Sequence, residues 1–318
     1  MGCVKMLKIY ITDNSILEPI SKFTSGCWIN MINPTQEESD KVCQYYNIDP
    51  ADLRAALDNE ETSRVYIEDT YILILFDIPS IEIRHKQVAY TTIPLGIIVT
   101  QSSFICICSE ETPILKPFIQ GIIKDFNTKK QMKSIYQILI RACMFYQNYL
   151  RVIDKKRIEI EENIGNNTKD VDLVNLHELE SNLVYFDTSL RTNKMVIERL
   201  SRHTQIKKYP EDQDLLDDLV IENQQAIEMS QIYHDIIRGT RDLVSSIMDN
   251  RLNNVMKYLA AITIVMAIPT VISGLYGMNL NQEGMPLSDN IYGFGIICLI
   301  IFGICLITIF ILKKRKML

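Results

Sequence analysis

Little in this chain suits an enzyme or a disulfide-stapled secreted domain. Its 318 residues hold one Trp and four His. The histidines, at 85, 177, 203 and 234, are too dispersed for a zinc site. Eight cysteines are scattered without a CxxC pair, so reduced, buried thiols are expected. No glycine-rich loop for phosphates and no paired nucleophile and base stands out, so no catalytic activity is expected. Proline is missing between Pro210 and Pro269, and charge is missing from Tyr258 to Gln282 and from Asn290 to Leu312. These last two absences decide the architecture.

Each uncharged stretch can cross a hydrocarbon core, which needs about 20 apolar residues. The link between them holds Glu283, Gly284, Pro286 and Asp289 and is short, so the two spans form an antiparallel hairpin. Lys313-Lys314-Arg315-Lys316 closes the second span, and short flanks rich in Lys and Arg stay in the cytoplasm. Residues 1–250 carry 27 Lys and Arg against 37 Asp and Glu, whereas residues 251–318 carry six against two. An acidic body on a basic hairpin suits cations and excludes nucleic acid as a partner. Met1-Gly2-Cys3-Val4-Lys5-Met6 has no signal-peptide core, and Met6 stands where a myristoylation signal needs Ser or Thr. Both termini are therefore expected in the cytoplasm, with the protein a multi-pass component of the cell membrane.

The pattern divides the chain further. Up to residue 128 an α/β domain is expected: Lys8–Thr12, Trp28–Met31, Val65–Glu68, Tyr71–Ile78, Thr92–Thr100 and Phe104–Cys108 read as strands, and Pro34–Tyr46, Pro50–Asn59 and Ile114–Phe126 as helices. Pro34 followed by Glu37 and Glu38 marks a helix start, where acids favour the dipole. Residues 129–209 read as a pair of long amphipathic helices, Gln131–Asn163 and Asp170–Lys207, broken at Gly165-Asn166-Asn167 and at Tyr209-Pro210. Residues 210–276 read as one stalk helix that becomes the first span at about 255–276. At 1.5 Å per residue it measures roughly 100 Å, more than a globular domain uses. Residues 277–289 form the external loop, 290–312 the second span and 313–318 a basic tail.

Stepping three and four residues from Asn253 gives Met256, Ala260, Thr263, Ala267, Thr270, Gly274 and Gly277. Stepping back gives Asp249, Ser246, Asp242, Gly239 and Asp235, with Asp218 further down. Acids below and small or hydroxyl residues above thus share one face over about six heptads. Leu243, Val244, Ile247, Leu252, Val255, Leu259, Ile262 and Ile264 occupy the rest. Two readings of this stripe stand: close packing of small residues between helices, or the lining of a pore. A dimer contact does not require the line to continue through the acids. A single pore helix needs symmetry mates, so the pore reading implies a homo-oligomer.

The stripe ends in Tyr276-Gly277-Met278-Asn279, and Met285-Pro286 follows in the loop. With Trp28-Ile29, Pro34-Thr35-Gln36-Glu37-Glu38, Asp49-Pro50, Leu57-Asp58 and Glu68-Asp69, this resembles the CorA-type magnesium transporters over nearly the whole chain. The resemblance implies a funnel-shaped homopentamer with the first span lining the pore. It implies Gly277, Met278 and Asn279 as selectivity filter, and Asn253, Met256, Leu259, Ala260, Thr263, Ala267, Thr270 and Gly274 as pore lining. Met256 and Leu259 would narrow the path. It further implies Asp69 and Asp218 as an intersubunit regulatory Mg²⁺ pair, Asp235, Asp242 and Asp249 as an acidic vestibule, and Lys313, Lys314, Arg315 and Lys316 as a basic ring. Mg²⁺ is the implied cargo and regulator, with Co²⁺, Ni²⁺ or Zn²⁺ as alternatives; another alternative is a non-conducting, membrane-anchored sensor. Three positions depart from the family pattern. Asn30 replaces an acid in the opening, and Asn281 and Leu287 replace loop glutamates, which leaves Glu283 and Asp289 as the acids at the mouth.

Overall fold

The computed structural model describes residues 7–84, 87–163, 170–202, 210–278, 285–287 and 290–315. The chain divides into two compact units, Met1–Arg241 and Asp242–Leu318. Among the described residues the first unit contains strands β1 (Leu7–Asp13), β2 (Ile16–Ile20), β3 (Cys27–Ile32), β4 (Arg64–Ile67), β5 (Tyr71–Arg84), β6 (Gln87–Thr100) and β7 (Phe104–Cys108). They form one sheet in the order β2-β1-β3-β7-β6-β5-β4. Among the described residues only the β3–β7 pairing is parallel.

The central strands read as unbroken apolar runs because both faces of the sheet are covered. Along β7, Phe104, Cys106 and Cys108 enter one core, while Ile105 and Ile107 enter the other. The second core is closed by α1 (Gln36–Tyr46) and α2 (Pro50–Ala55), through Val42, Cys43, Leu53 and Ala56. Thr35 and Glu38 start α1 with a reciprocal capping box. At Gly96 an added Cβ would stand 2.2 Å from the Ala56 Cβ, so glycine lets α2 seat on β6. The first core is closed by α4 (Gln131–Asn163), α5 (Asp170–Arg202) and the start of α6 (Pro210–Tyr276), through Ile135, Leu139, Ile197, Leu200, Leu216 and Leu219. Burial drives the Cys106 thiol up to about 12 and Cys108 to about 11, which keeps both protonated.

Several elements differ from the sequence expectation. β5 and β6 run on into a hairpin six residues longer at Arg84 and five longer at Gln87 than the apolar runs suggest. β2 was not expected; it is a mostly exposed edge strand containing Pro19. Ile114–Phe126 is not one helix: only α3 (Lys116–Ile119) forms, because Gly121 and Asp125 take positive φ and the segment instead folds Ile114, Phe118 and Phe126 down onto the sheet. The helix expected at Pro50–Asn59 ends at Ala55 and continues as turns through Leu57 and Asp58.

β4 pairs with β5 only as far as Leu75, so Asp77, paired with Pro94 of β6 on one side, has no strand partner on the other. Asn193 of α5 supplies one. Its Oδ1 accepts from the Asp77 N–H at 2.9 Å, and its Nδ2 donates to the Asp77 carbonyl at 2.8 Å. The Tyr146 hydroxyl donates to the same carbonyl at 3.1 Å, and Ser63 Oγ donates to Asn193 Oδ1. Burial raises the Asp77 carboxyl above its usual range, against the pull of Ser189 and Ser63. Asn193→Ala leaves the Asp77 N–H with only Ser63 Oγ, at 3.1 Å, and the carbonyl with only the Tyr146 hydroxyl; losing two hydrogen bonds is expected to destabilise the first unit by about 1–3 kcal/mol. Thermal unfolding of the purified full chain measures this, and an unchanged midpoint would show that the amide carries no weight there.

Candidate ion pathway

The site is built on α6, whose faces do different things. In the first unit Leu216, Leu219, Asn223, Ala226, Ser230, Ile237 and Thr240 are buried at heptad-like spacing. Asn223 Nδ2 donates to the Leu190 carbonyl at 3.2 Å, and Ser230 Oγ to the Leu183 carbonyl at 3.4 Å. Glu180 of α5 takes Arg241 Nη1 at 2.5 Å and lies 3.9 Å from His234 Nε2. Asp218 and Asp235 stand on the exposed side, with the Asp235 side chain 84% exposed.

Among the described residues two helices are long and apolar enough to cross a membrane, α6 and α7 (Gly293–Lys314); α7 and the end of α6 make up the second unit. α7 lies against one face of α6, where Ala261 is buried and Lys257, Val265, Ile268 and Ile272 are half-buried. Asn253, Met256, Ala260, Thr263, Ala267, Thr270, Gly274 and Gly277 are all exposed. Val265 stands two positions from both Thr263 and Ala267, and Ile272 two from both Thr270 and Gly274. Two positions on an α-helix are roughly 200° of rotation, so the small and polar stripe faces away from α7. Asp242 and Asp249 are exposed on the same helix, and so are Leu259 and Met278.

The stripe's chemistry is that of oxygen acceptors. Thr263 Oγ1 donates its proton to the Leu259 carbonyl at 2.8 Å, and Thr270 Oγ1 to the Met266 carbonyl at 2.9 Å. Each hydroxyl thus spends its hydrogen on its own helix and keeps its lone pairs for a cation or its water. Among the described residues nothing beyond the adjoining helix backbone lies within 4 Å of a Cβ built at Gly239 or Gly274, so packing among them does not explain either glycine. The Tyr276 hydroxyl donates to the Pro286 carbonyl at 3.1 Å and ties the helix end to the loop. Asn279, Asn281, Glu283, Asp289 and Lys316 lie outside the described residues; Lys313, Lys314 and Arg315 are exposed at the end of α7.

Asp69 is exposed at the β4–β5 turn, where Glu68 N donates to the Tyr71 carbonyl at 2.9 Å. It borders a cavity of about 670 Å³ that Glu68, Lys129, Lys130 and Asp212 also line. Asp218, six residues beyond Asp212 on α6, does not line it. Among the described residues no cluster of three or more His, Cys, Asp and Glu can hold a metal within one chain. Cys27, Cys43, Cys106, Cys108 and Cys143 are buried free thiols, but Cys298 is exposed and Cys305 half-buried, contrary to the expectation of uniformly buried thiols. A single chain leaves most of each span uncovered. Cys3 lies outside the described residues.

The family model of the CorA-like Mg²⁺ transporter protein matches residues 24–314. The chain belongs to the CorA-like Mg²⁺ transporter family. It is 27% identical to the cobalt/magnesium transport protein CorA of Methanocaldococcus jannaschii, over 95% of this chain and 96% of that one. It is 23% identical to the CorA protein of Thermotoga maritima, over 96% of this chain and 87% of that one. The solved structure of the CorA magnesium transporter from M. jannaschii superposes with a TM-score of 0.85 at 23% identity and covers all of both chains, which shows the same fold. In this CorA-like chain Gly274 provides a direct test of the exposed stripe. Gly274→Leu displaces nothing in its own chain and favours helix, so its thermal midpoint should hold while Mg²⁺ flux in liposomes falls at least about tenfold. Loss of the oligomer by size-exclusion chromatography, with flux per remaining oligomer intact, would favour close packing between chains instead.

Proposed function

We propose that this chain takes up Mg²⁺ across the cell membrane through a pore that the exposed face of α6 lines in a homopentamer, with both termini in the cytoplasm. The observation that carries this reading is the run of small and oxygen-bearing residues turned away from α7, with the YGMN sequence at its end. Mg²⁺ gives up its water reluctantly and demands octahedral oxygen coordination. A ring of Asn279 amides can grip that first water shell without stripping it and leaves the ion free to move on. Rings of Thr270 and Asn253 repeat the contact deeper in the pore. Met256 and Leu259 bring the bulk that closes the path by dewetting, while Asp235, Asp242 and Asp249 concentrate cations at the inner end. Co²⁺, the other ion in the names of the two CorA relatives, is the second cargo.

Flux of Mg²⁺, Co²⁺, Ni²⁺ and Zn²⁺ into liposomes holding the purified protein tests this function. Mg²⁺ is expected to pass best and Asn279→Ala to lose selective uptake while the oligomer stays assembled. A wild type that moves none of the four ions would support the anchored-sensor reading, and unchanged selectivity in the variant would move the filter away from Asn279.

Regulation follows from the two exposed acids. Asp69 and Asp218, brought together by neighbouring subunits, repel unless a cation bridges them, and a largely hydrated Mg²⁺ needs only one or two carboxylates. Bridging favours closure. A coupling of about 1–3 kcal/mol shifts the closed-to-open ratio about five- to 150-fold. The pair Asp69→Asn with Asp218→Asn should therefore lose the protection from proteolysis that millimolar Mg²⁺ gives the wild type; equal protection in both would place sensing elsewhere.

A further inference from the structure

The membrane half of α6 contains one break in its backbone ladder. Pro269 has no N–H, so the Val265 carbonyl four residues earlier lacks the donor that an ordinary helical turn supplies. In hydrocarbon such a carbonyl has no water to turn to, and a neighbouring helix or side chain must meet it. The Val265 carbonyl points at α7, where Cys305 Sγ donates to it at 3.9 Å. One residue on, the Thr270 hydroxyl donates to the Met266 carbonyl. The disturbed turn is thus served by two side chains, one on the α7 side and one on the exposed stripe. Cys298 supplies a contrast within the same helix: it is exposed, whereas Cys305 is half-buried.

We propose that Cys305 is a positioning residue for ion passage: its thiol, by occupying the carbonyl that Pro269 leaves open, fixes α7 to the back of α6 and holds the stripe in its orientation. The inference rests on the pore reading for its effect on flux, but the contact itself does not. Loss of the thiol frees α6 to turn or bend at Pro269, immediately before Thr270. The neighbouring Thr270 and Gly274 then leave their common line. An S–H···O contact is weak, so the effect is graded rather than total.

A mutational cycle in the full-length protein tests both halves. Cys305→Ala should lower the thermal midpoint and reduce Mg²⁺ flux roughly two- to fivefold, the range that a weak hydrogen bond of this kind supports. Cys305→Ser, which keeps a donor, should restore most of both. Pro269→Ala returns an N–H to Val265, so adding Cys305→Ala in that background should cost nothing further. Infrared spectra provide a readout independent of activity and of the proline variant's folding: the S–H stretch of Cys305, assigned by its loss in Cys305→Ala, should lie below that of Cys298. Equal damage from Ala and Ser, an undiminished Ala effect beside Pro269→Ala, or an S–H band at the frequency of Cys298 would each overturn the assignment. If wild-type protein carried no ion, the pore reading would fail on that result alone. The thermal cycle and the S–H band would still decide the contact.

Discussion

The backbone ladder of α6 is the constraint on which the rest depends. A helix in lipid must satisfy its N–H and C=O groups within the protein, and α6 does so over 67 residues with a single proline inside it. Because the ladder uses up the backbone, function falls to side chains, and these must be sorted by face. One face in the first unit joins the sheet's core, one face in the second receives α7, and the stripe keeps what neither claims. The sorting is possible because small residues and Thr disturb an apolar helix little, whereas a carboxylate at the same depth would cost several kcal/mol.

The distribution of charge has the same logic. Acids sit on α6 up to Asp249, and from Asn253 onward the face carries only an amide, a thioether, two hydroxyls, two alanines and two glycines. Carboxylates hold a dehydrated ion tightly; neutral oxygens hold a hydrated one loosely, and conduction requires that an ion leave as readily as it enters. The thermodynamic cost of placing oxygens in the span is kept small by their bonding to the helix itself, as Thr263 and Thr270 show.

What was legible in the sequence was whatever repeats along the chain. The 3.5-residue recurrence of Met256, Ala260, Thr263 and Ala267 marks one face by itself, and the uncharged runs mark the two apolar helices. Gln131–Asn163 was readable to its ends for the same reason. Contacts between distant residues were not. Asn193 meets Asp77 across 116 residues and Cys305 meets Val265 across 40, and neither residue type announces such a partner. β2 escaped notice because Ile16-Leu17-Glu18-Pro19-Ile20 has neither alternation nor a buried face, and the helical spacing in Ile114–Phe126 misled because apolar residues that fold over a sheet can share a helix's period by chance. The cavity bordered by Asp69 joins two turns and two helix starts, a combination no local pattern encodes.

The amide of Asn193 has a consequence beyond the stability of one unit. A strand whose neighbour stops short presents unpaired donors and acceptors, and such an edge recruits strands from other chains. β5 outruns β4 by several residues, and the first group past the end of that pairing is where α5 lays a side chain that mimics a strand. If copies assemble through their helices as proposed, a free sheet edge would let them pair wrongly instead. The Asn193 amide, with Ser63 and Tyr146 beside it, occupies the hydrogen-bonding groups at that point of the edge, so another chain's strand finds none free there.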